Sequence, residues 1–498
     1  MLFSSYVFIL LFLPVTLAGF ALLSPAGRTV SLLWLLCASI VFYGFWNPLH
    51  VPLIAASIAV NYLIGRAIQS KASPGWRRTA FAAGMVGNLA LIGYYKYAGF
   101  FAGIFGDLTG QSLSIEKLIL PLGISFFTFQ QIAYLIDAWR GEARLYSPLE
   151  YSFVVLFFPH LIAGPIVRHS DLIDNIRGQE KMRVRSKDLS IGIVIFVMGL
   201  LKKILIADSI QPLVATLFGS VAGGYEVAPA HAWVGVLAYT LQLYFDFSGY
   251  SDMAIGLARM FSIPFPFNFN SPYKATSIID FWRRWHITLS LFLRDYLYIP
   301  LGGSRCGSVR RYSNLLVTMT LGGLWHGAGW TFILWGVWHG LLLCVNHGWM
   351  ALRRRLGWEP SQGVLARSVA WALTFLAVIT GWVLFRAESL ESALSILKSL
   401  AGFHWDGVEP YRKVYGFLIG LVALVAGTVF LPNTQQLLAR YEPALDWAKE
   451  QARLPALPRW IEWYTWKPSA LRGAMLAVGF VASIAMLTRV KEFLYFQF

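Results

Sequence analysis

The chain has 498 residues, of which 57% are hydrophobic and only 13% charged, and its mean hydropathy is +0.58; a soluble domain of this length has too little interior to hide that much apolar surface. The formal net charge of +16 comes from 41 Lys and Arg against 25 Asp and Glu, an excess that cytoplasmic loops of a membrane protein collect without any nucleic-acid partner. Composition thus excludes a soluble enzyme and a nucleic-acid-binding module, and it predicts an all-α, polytopic integral membrane protein in contact with lipid.

The amino-terminal run at residues 3–23 carries no Lys or Arg at its start and is longer than a signal-peptide core, so it is read as the first membrane helix. Further apolar runs near the roughly 20 residues that cross a bilayer follow at 30–46, 50–69, 79–103, 118–138, 150–166, 189–208, 231–247, 314–350, 366–385, 412–431 and 471–488. The 314–350 run is long enough to cross more than once, so about 11–13 spans are expected, with re-entrant and interfacial pieces among them. Arg28, and then Arg66, Lys71, Arg77 and Arg78, lie in short connections that belong in the cytoplasm, while the intervening WNPLH turn has no Lys or Arg. The N-terminus is therefore expected outside. To keep Arg168 to Lys187 on the side of Arg140 and Arg144, the run at 150–166 must re-enter instead of spanning.

Cys37, Cys306 and Cys344 are odd in number and lack metal-type spacing, so neither a disulfide framework nor a metal site is expected. Phosphate loops, HExxH, GxSxG and CxxC are absent, which removes support for ATP-driven, zinc-peptidase and serine-esterase chemistry within the chain.

The chemistry concentrates between residues 270 and 340. If 280–295 forms one helix, then with Arg283 at zero, Asp280 falls at about +60°, His286 at about −60°, Ser290 at about −20° and Arg294 at about +20°. These five share a polar face, and Trp282, Trp285, Leu289, Phe292 and Leu293 cover the rest. Such a helix lies at an interface, its arginines on lipid phosphates, or lines a polar cavity in the bundle. His326, in GGLWHGAGW, is an ionisable group at membrane depth and a functional candidate by default. The flanking Gly322, Gly323, Gly327 and Gly329 are explained by close helix packing, but packing does not explain the imidazole. On a continuous helix His339 lies about 220° from His326 and faces elsewhere; it and His347 are assigned to packing. Asp246 and Asp252 point about 240° apart and are expected to pair with arginines or hold active-site groups in place. His160, in FFPHLIAGPIVR, fits a re-entrant loop with one satisfied histidine or a conduit lining.

WRRWHITLSLFLRDYLYIPLGG followed by LGGLWHGAGWTFILWGVWHG, with the two histidines forty positions apart, resembles the membrane-bound O-acyltransferase superfamily, and within it the bacterial alginate O-acetyltransferase branch. MLFSSYVFILLFLPV, PLGISFFTFQQIAYLID, FFPHLIAGPIVR and YFDFSGYSDMAIGLARMF extend the resemblance over residues 1–390, and 391–498 match only in general character. The resemblance implies one membrane-embedded acyltransferase domain over 1–498, a ring of helices around a central tunnel in a bacterial inner membrane. It implies His326 as general base and His286 as the group that positions or polarises the donor carbonyl. Arg283 and Arg294, with Arg284, would meet donor phosphates, and Trp285, Trp325, Ser290 and Asp246 complete the expected substrate-binding set. No permanently bound cofactor or metal is implied; acetyl-CoA or another acetyl thioester is the expected donor. Periplasmic serine-esterase-like (SGNH) acetyltransferases and polysaccharide synthesis and export machinery are the expected partners. Alginate is the first acceptor polymer, acetylated cellulose or peptidoglycan the next; D-alanyl transfer to teichoic acid and a proton-relaying transporter are the remaining alternatives.

Overall fold

The computed structural model describes residues 1–111, 119–179, 182–359, 361, 363–447 and 464–487. Among them the structure is helical, with one isolated bridge between Val227 and Val408 and no strand. Val7–Ala26, Pro48–Gln69, Ser186–Ala222 and Val364–Arg386 are each long and apolar enough to cross a bilayer, and Arg28–Gly44, Val414–Phe430 and Ala470–Met486 are shorter apolar helices.

The bundle is organised on the helix Pro229–Met260, which is buried on nearly every side, polar residues included. Two glycine pairs let the Ser186–Leu201 helix lie directly against it. A Cβ on Gly192 would stand 2.6 Å from the carbonyl oxygen of Gly256, and one on Gly249 would stand 2.7 Å from that of Gly199, both too close for any larger residue. The wide turn Lys202–Ala207 follows, and it brings two consecutive lysines onto the central helix. Lys202 Nζ lies 2.6 Å from Asp252 Oδ2, and Lys203 Nζ bridges Asp246 (2.6 Å) and Asp208 (2.7 Å). The partners of both aspartates are thus lysines, not the arginines expected from sequence. Buried this deeply, each charge is tolerable only because its counter-ion is in contact.

The 150–166 run is not one spanning helix but a short helix that turns back, in keeping with the re-entry expected from the charge distribution. Its helix, Pro148–Leu156, has nine residues and reaches about 14 Å, after which residues 157–164 turn back through buried, non-helical backbone. His160 Nε2 lies 2.7 Å from the carbonyl of Val154 there, while its buried Nδ1 has no hydrogen-bond partner among the described residues. Arg144 pairs with Asp174 (2.8 Å), and Arg177 with Glu150 (2.7 Å), so the basic segments on either side of the run do lie together. Glu150 also closes a capping box with Ser147, and the Arg177 guanidinium pulls its carboxyl down to about 2.

One helical expectation fails, and the longest apolar run divides in two as its length allows. Residues 280–295 are not one helix: Ile278–Trp282 is a single turn, the chain reverses through Arg283–Trp285, and a new helix starts at Ile287 from His286, which sits in the left-handed region at φ +42°. The 314–350 run breaks at Gly327–Gly329 into Ser308–His326 and Trp330–Arg355, which pack on each other. Their glycines serve that packing. A Cβ on Gly323 would collide with the carbonyl of Phe332, and one on Gly336 with that of Met319. Gly336→Leu is therefore expected to cost at least about 2–3 kcal/mol and to lose the monodisperse peak in size-exclusion chromatography; a variant that purifies and melts like the parent would refute this close approach.

Candidate active site

His326 is the last residue of its helix, whose final four carbonyls have no intrahelical donor, and those of Leu324, Trp325 and His326 find donors elsewhere. Two neighbouring side chains supply them. Tyr97 Oη donates to Leu324 O (2.8 Å), and Lys96 Nζ donates to Trp325 O (2.5 Å) and His326 O (3.1 Å) while also reaching Ser125 Oγ at 3.3 Å. When protonated, Lys96 also opposes the negative end of the helix dipole. The His326 ring is boxed by Trp325, Trp335 and Phe385, with centroids at 4.9, 5.1 and 5.2 Å. His326, Lys96 and Ser125 line one cavity of about 110 Å³, together with Trp46, Phe126 and Trp325.

His286 is held by Asn268. The amide oxygen Oδ1 accepts from the backbone N–H of Thr288 (3.2 Å) and the hydroxyl of Thr288 (3.0 Å), and stands 3.1 Å from His286 Nδ1. A backbone N–H can only donate, so that Asn268 atom is an acceptor, and Nδ1 of His286 must carry the proton. The neutral ring then presents a lone pair at Nε2, which is buried and has no hydrogen-bond partner among the described residues. This changes the role expected for His286: in its neutral form it accepts at Nε2, and donation to a carbonyl needs a second proton. Trp325 stands between the two histidines, its ring 6.5 Å from His286 and 4.9 Å from His326.

The polar face expected on a continuous helix survives in part as a second cavity of about 660 Å³. Asp280, Arg283, Ser290 and Arg294 line it together with Arg284, which the helical projection had placed elsewhere; His286 does not. Arg284 is tied to Asp280 (2.9 Å) and Arg294 to Asp295 (2.6 Å), which leaves Arg283 as the guanidinium there without a carboxylate among the described residues. A smaller, mainly apolar cavity of about 210 Å³ shares Trp282, Ser290 and Arg294 with it. His347 lines the basic cavity, about 25 Å along its helix from Trp330, whereas Trp282, on the same lining, lies 5.8 Å from Trp335 beside His326.

Two expected residues lie elsewhere, and one that was not expected lies close by. Trp285 packs against Trp382 (4.7 Å), Phe269 (5.0 Å) and Phe281 (5.8 Å), outside both cavities. Asp246 is committed to Lys203. His339, placed away from His326 on a continuous helix, is instead one indole from it, because the chain turns at Gly327–Gly329: Trp335 is 5.1 Å from His326 and 5.0 Å from His339.

Lys96, Ser125 and Asn268 were not singled out from sequence. A lysine alone within the 79–103 apolar run is itself a signal, since an ionisable group at membrane depth needs a reason to be there. Asn268 gives none, because it lies in irregular backbone with no period to read.

The sequence model of the membrane-bound O-acyltransferase family matches residues 122–385, which include both histidines, the central helix and the re-entrant segment. The chain is 40% identical over 431 residues to the peptidoglycan O-acetyltransferase of Helicobacter pylori, covering 81% of this chain and 80% of that protein. It is 42% identical over 437 residues to the probable alginate O-acetylase AlgI of Pseudomonas aeruginosa, covering 85% and 80%, and 38% identical over 526 aligned residues to the corresponding Pseudomonas putida protein, covering both in full. With two histidines converging on one tryptophan inside a helical membrane bundle, the chain belongs to the membrane-bound O-acyltransferase family and is an O-acyltransferase.

Proposed function

We propose that the chain moves acetyl from a cytoplasmic thioester, acetyl-CoA or another acetyl thioester, across the inner membrane for O-acetylation of an exported polysaccharide, with alginate the first acceptor polymer. The observation that carries this reading is the convergence of His326 and His286 on Trp325, which lines the Lys96 cavity, with the basic cavity reaching the same aromatic cluster through Trp282. Arg283 and its neighbours suit the phosphates of a thioester donor, since guanidinium groups match phosphate oxygens in pairs. In the transfer step, an acceptor hydroxyl loses its proton to His326 as its oxygen attacks the thioester carbonyl. The C–S bond breaks, the sulfur leaves as thiolate, and a proton returns to it. His286 accepts a hydrogen bond at Nε2 from the hydroxyl or from a donor amide, an interaction that fits its tautomer.

The N-terminus lies outside in this reading, and periplasmic serine-esterase-like proteins carry acetyl onward to the polymer. Peptidoglycan is the second acceptor reading, because a relative with that name is 40% identical over most of both chains. The decisive experiment expresses the chain in a bacterium deleted for its own equivalent and measures ester-linked acetate on alginate and on muropeptides by mass spectrometry. Restored acetate on one polymer identifies the acceptor. No acetate on either polymer, with the protein present in the membrane, would sink this acetyl-transfer reading.

A further inference from the structure

The segment that follows the apolar helix Val414–Phe430 lies beyond residues 122–385 of the family match, yet it is built into the wall that carries His286. Its anchor is Asp252 on the central helix. Thr434 Oγ1 donates to Asp252 Oδ2 and Gln435 Nε2 to Asp252 Oδ1, both at 2.7 Å, while Lys202 neutralises the same carboxylate at 2.6 Å. From this anchor Asn433 reaches the other way. Its Nδ2 lies 3.0 Å from both Asn270 Oδ1 and Ser271 Oγ, and its Oδ1 caps the turn Thr434–Leu437 by accepting from Gln436 N at 2.9 Å.

Asn270 and Ser271 belong to the strip that fixes His286. The backbone N–H of Asn270 donates to Arg284 O, and that of Ile287 donates to Asn268 O, both at 2.9 Å; Asn268 then holds the imidazole itself. Two residues of this strip and its partner adopt left-handed backbone without being glycine, Ser271 at φ +47° and His286 at φ +42°. Each such residue costs on the order of 1–3 kcal/mol and persists only where its surroundings over-determine it. Asn433, Asn270, Ser271, Asn268 and His286 are all buried, so no solvent competes for these bonds.

We infer that Asn433 is a positioning residue for His286: the Asp252-anchored turn presses its amide onto Asn270 and Ser271, and so sets the strip from which Asn268 aims the imidazole. This rests on the acyl-transfer reading above, in which His286 takes part. It also gives the segment after residue 430 a role that its general character does not suggest.

Asn433→Ser tests positioning with the helix cap kept, because serine remains a good N-cap but cannot donate to Asn270 and Ser271 as the amide does. For purified enzyme turning over acetyl-CoA, the expected result is a fall in kcat of about tenfold, the order that a misplacement of under 1 Å produces. KM for the donor should stay near that of the parent, while the melting temperature falls, because buried Asn270 Oδ1 and Ser271 Oγ lose the amide that now reaches both; Gln436→Ala is therefore the stability-matched control. In a His286→Ala background the same substitution should have no further effect on the residual rate, the signature of two residues acting through one path. Gln436→Ala, which loses only the capping-box contact, should lower the melting temperature and leave kcat alone. A kcat for Asn433→Ser within twofold of the parent, or effects that multiply in the His286→Ala background, would overturn the inference while leaving the transferase reading intact. A parent enzyme unable to turn over any acetyl thioester would overturn both.

Discussion

Replacing His326 with alanine should lower acetyl transfer by at least about a thousandfold, in the upper part of the range expected for loss of a general base, while the protein folds and purifies as before. The geometry separates these outcomes. What holds the end of the Ser308–His326 helix is the main chain of residues 324–326, bonded by Tyr97 and Lys96, and alanine keeps those carbonyls. The lost ring leaves a gap among Trp325, Trp335 and Phe385, large aromatic groups that still close on one another. His326→Gln preserves a polar side chain of similar reach yet cannot take up a proton near neutral pH, so it should be as inactive as alanine. Ester-linked acetate on the host polymer, with detergent-solubilised protein checked for its melting temperature, gives both readings in one strain. Acetylation persisting at a tenth of the parent level or more in His326→Ala would remove this imidazole from the proton-transfer step.

Much of this architecture can be read from residue chemistry alone, and the failures have a common cause. Apolar runs identify membrane helices because the bilayer demands a fixed length of apolar side chain, and the balance of Arg and Lys points to the turn-back at residues 157–164 because cationic loops collect on one side of the membrane. Both constraints act on composition. The errors came wherever a helical period was extended through residues that break it. His286 at positive φ divides 280–295 into two short helices, so Arg284 joins the basic cavity and His286 leaves it. Gly327–Gly329 folds the next run back on itself, so His339 approaches the site it had been projected away from. Asn268 and Asn433 were beyond reach for a different reason. Their work is done by single amides across long sequence separations, and no local pattern records which backbone atoms will be neighbours.

Lys96→Met should lower kcat by about a hundredfold, the loss that a displacement of roughly 1 Å at the reacting centre produces, and should also lower the melting temperature. Methionine matches the apolar stem of lysine but supplies none of its donors. The carbonyls of Trp325 and His326 would lose the ammonium that now bonds both, in a cavity of only about 110 Å³. Each buried acceptor left unmade costs about 1–3 kcal/mol, and the cheapest relief is to unwind the last turn of the helix. That turn carries the imidazole, so stability and catalysis fall together. Lys96→Arg distinguishes capping from charge: it keeps the cation and supplies donors, but its planar fork is too wide to reproduce contacts at 2.5 and 3.1 Å to adjacent carbonyls. It should recover much of the melting temperature and only part of the rate. If Lys96 acts by holding the helix end, KM for the acceptor stays constant across both variants and the deficit appears in kcat. A rise in acceptor KM with kcat unchanged would instead place the ammonium against an anionic acceptor, and Tyr97→Phe, which removes only the bond to Leu324 O, would then leave the rate untouched.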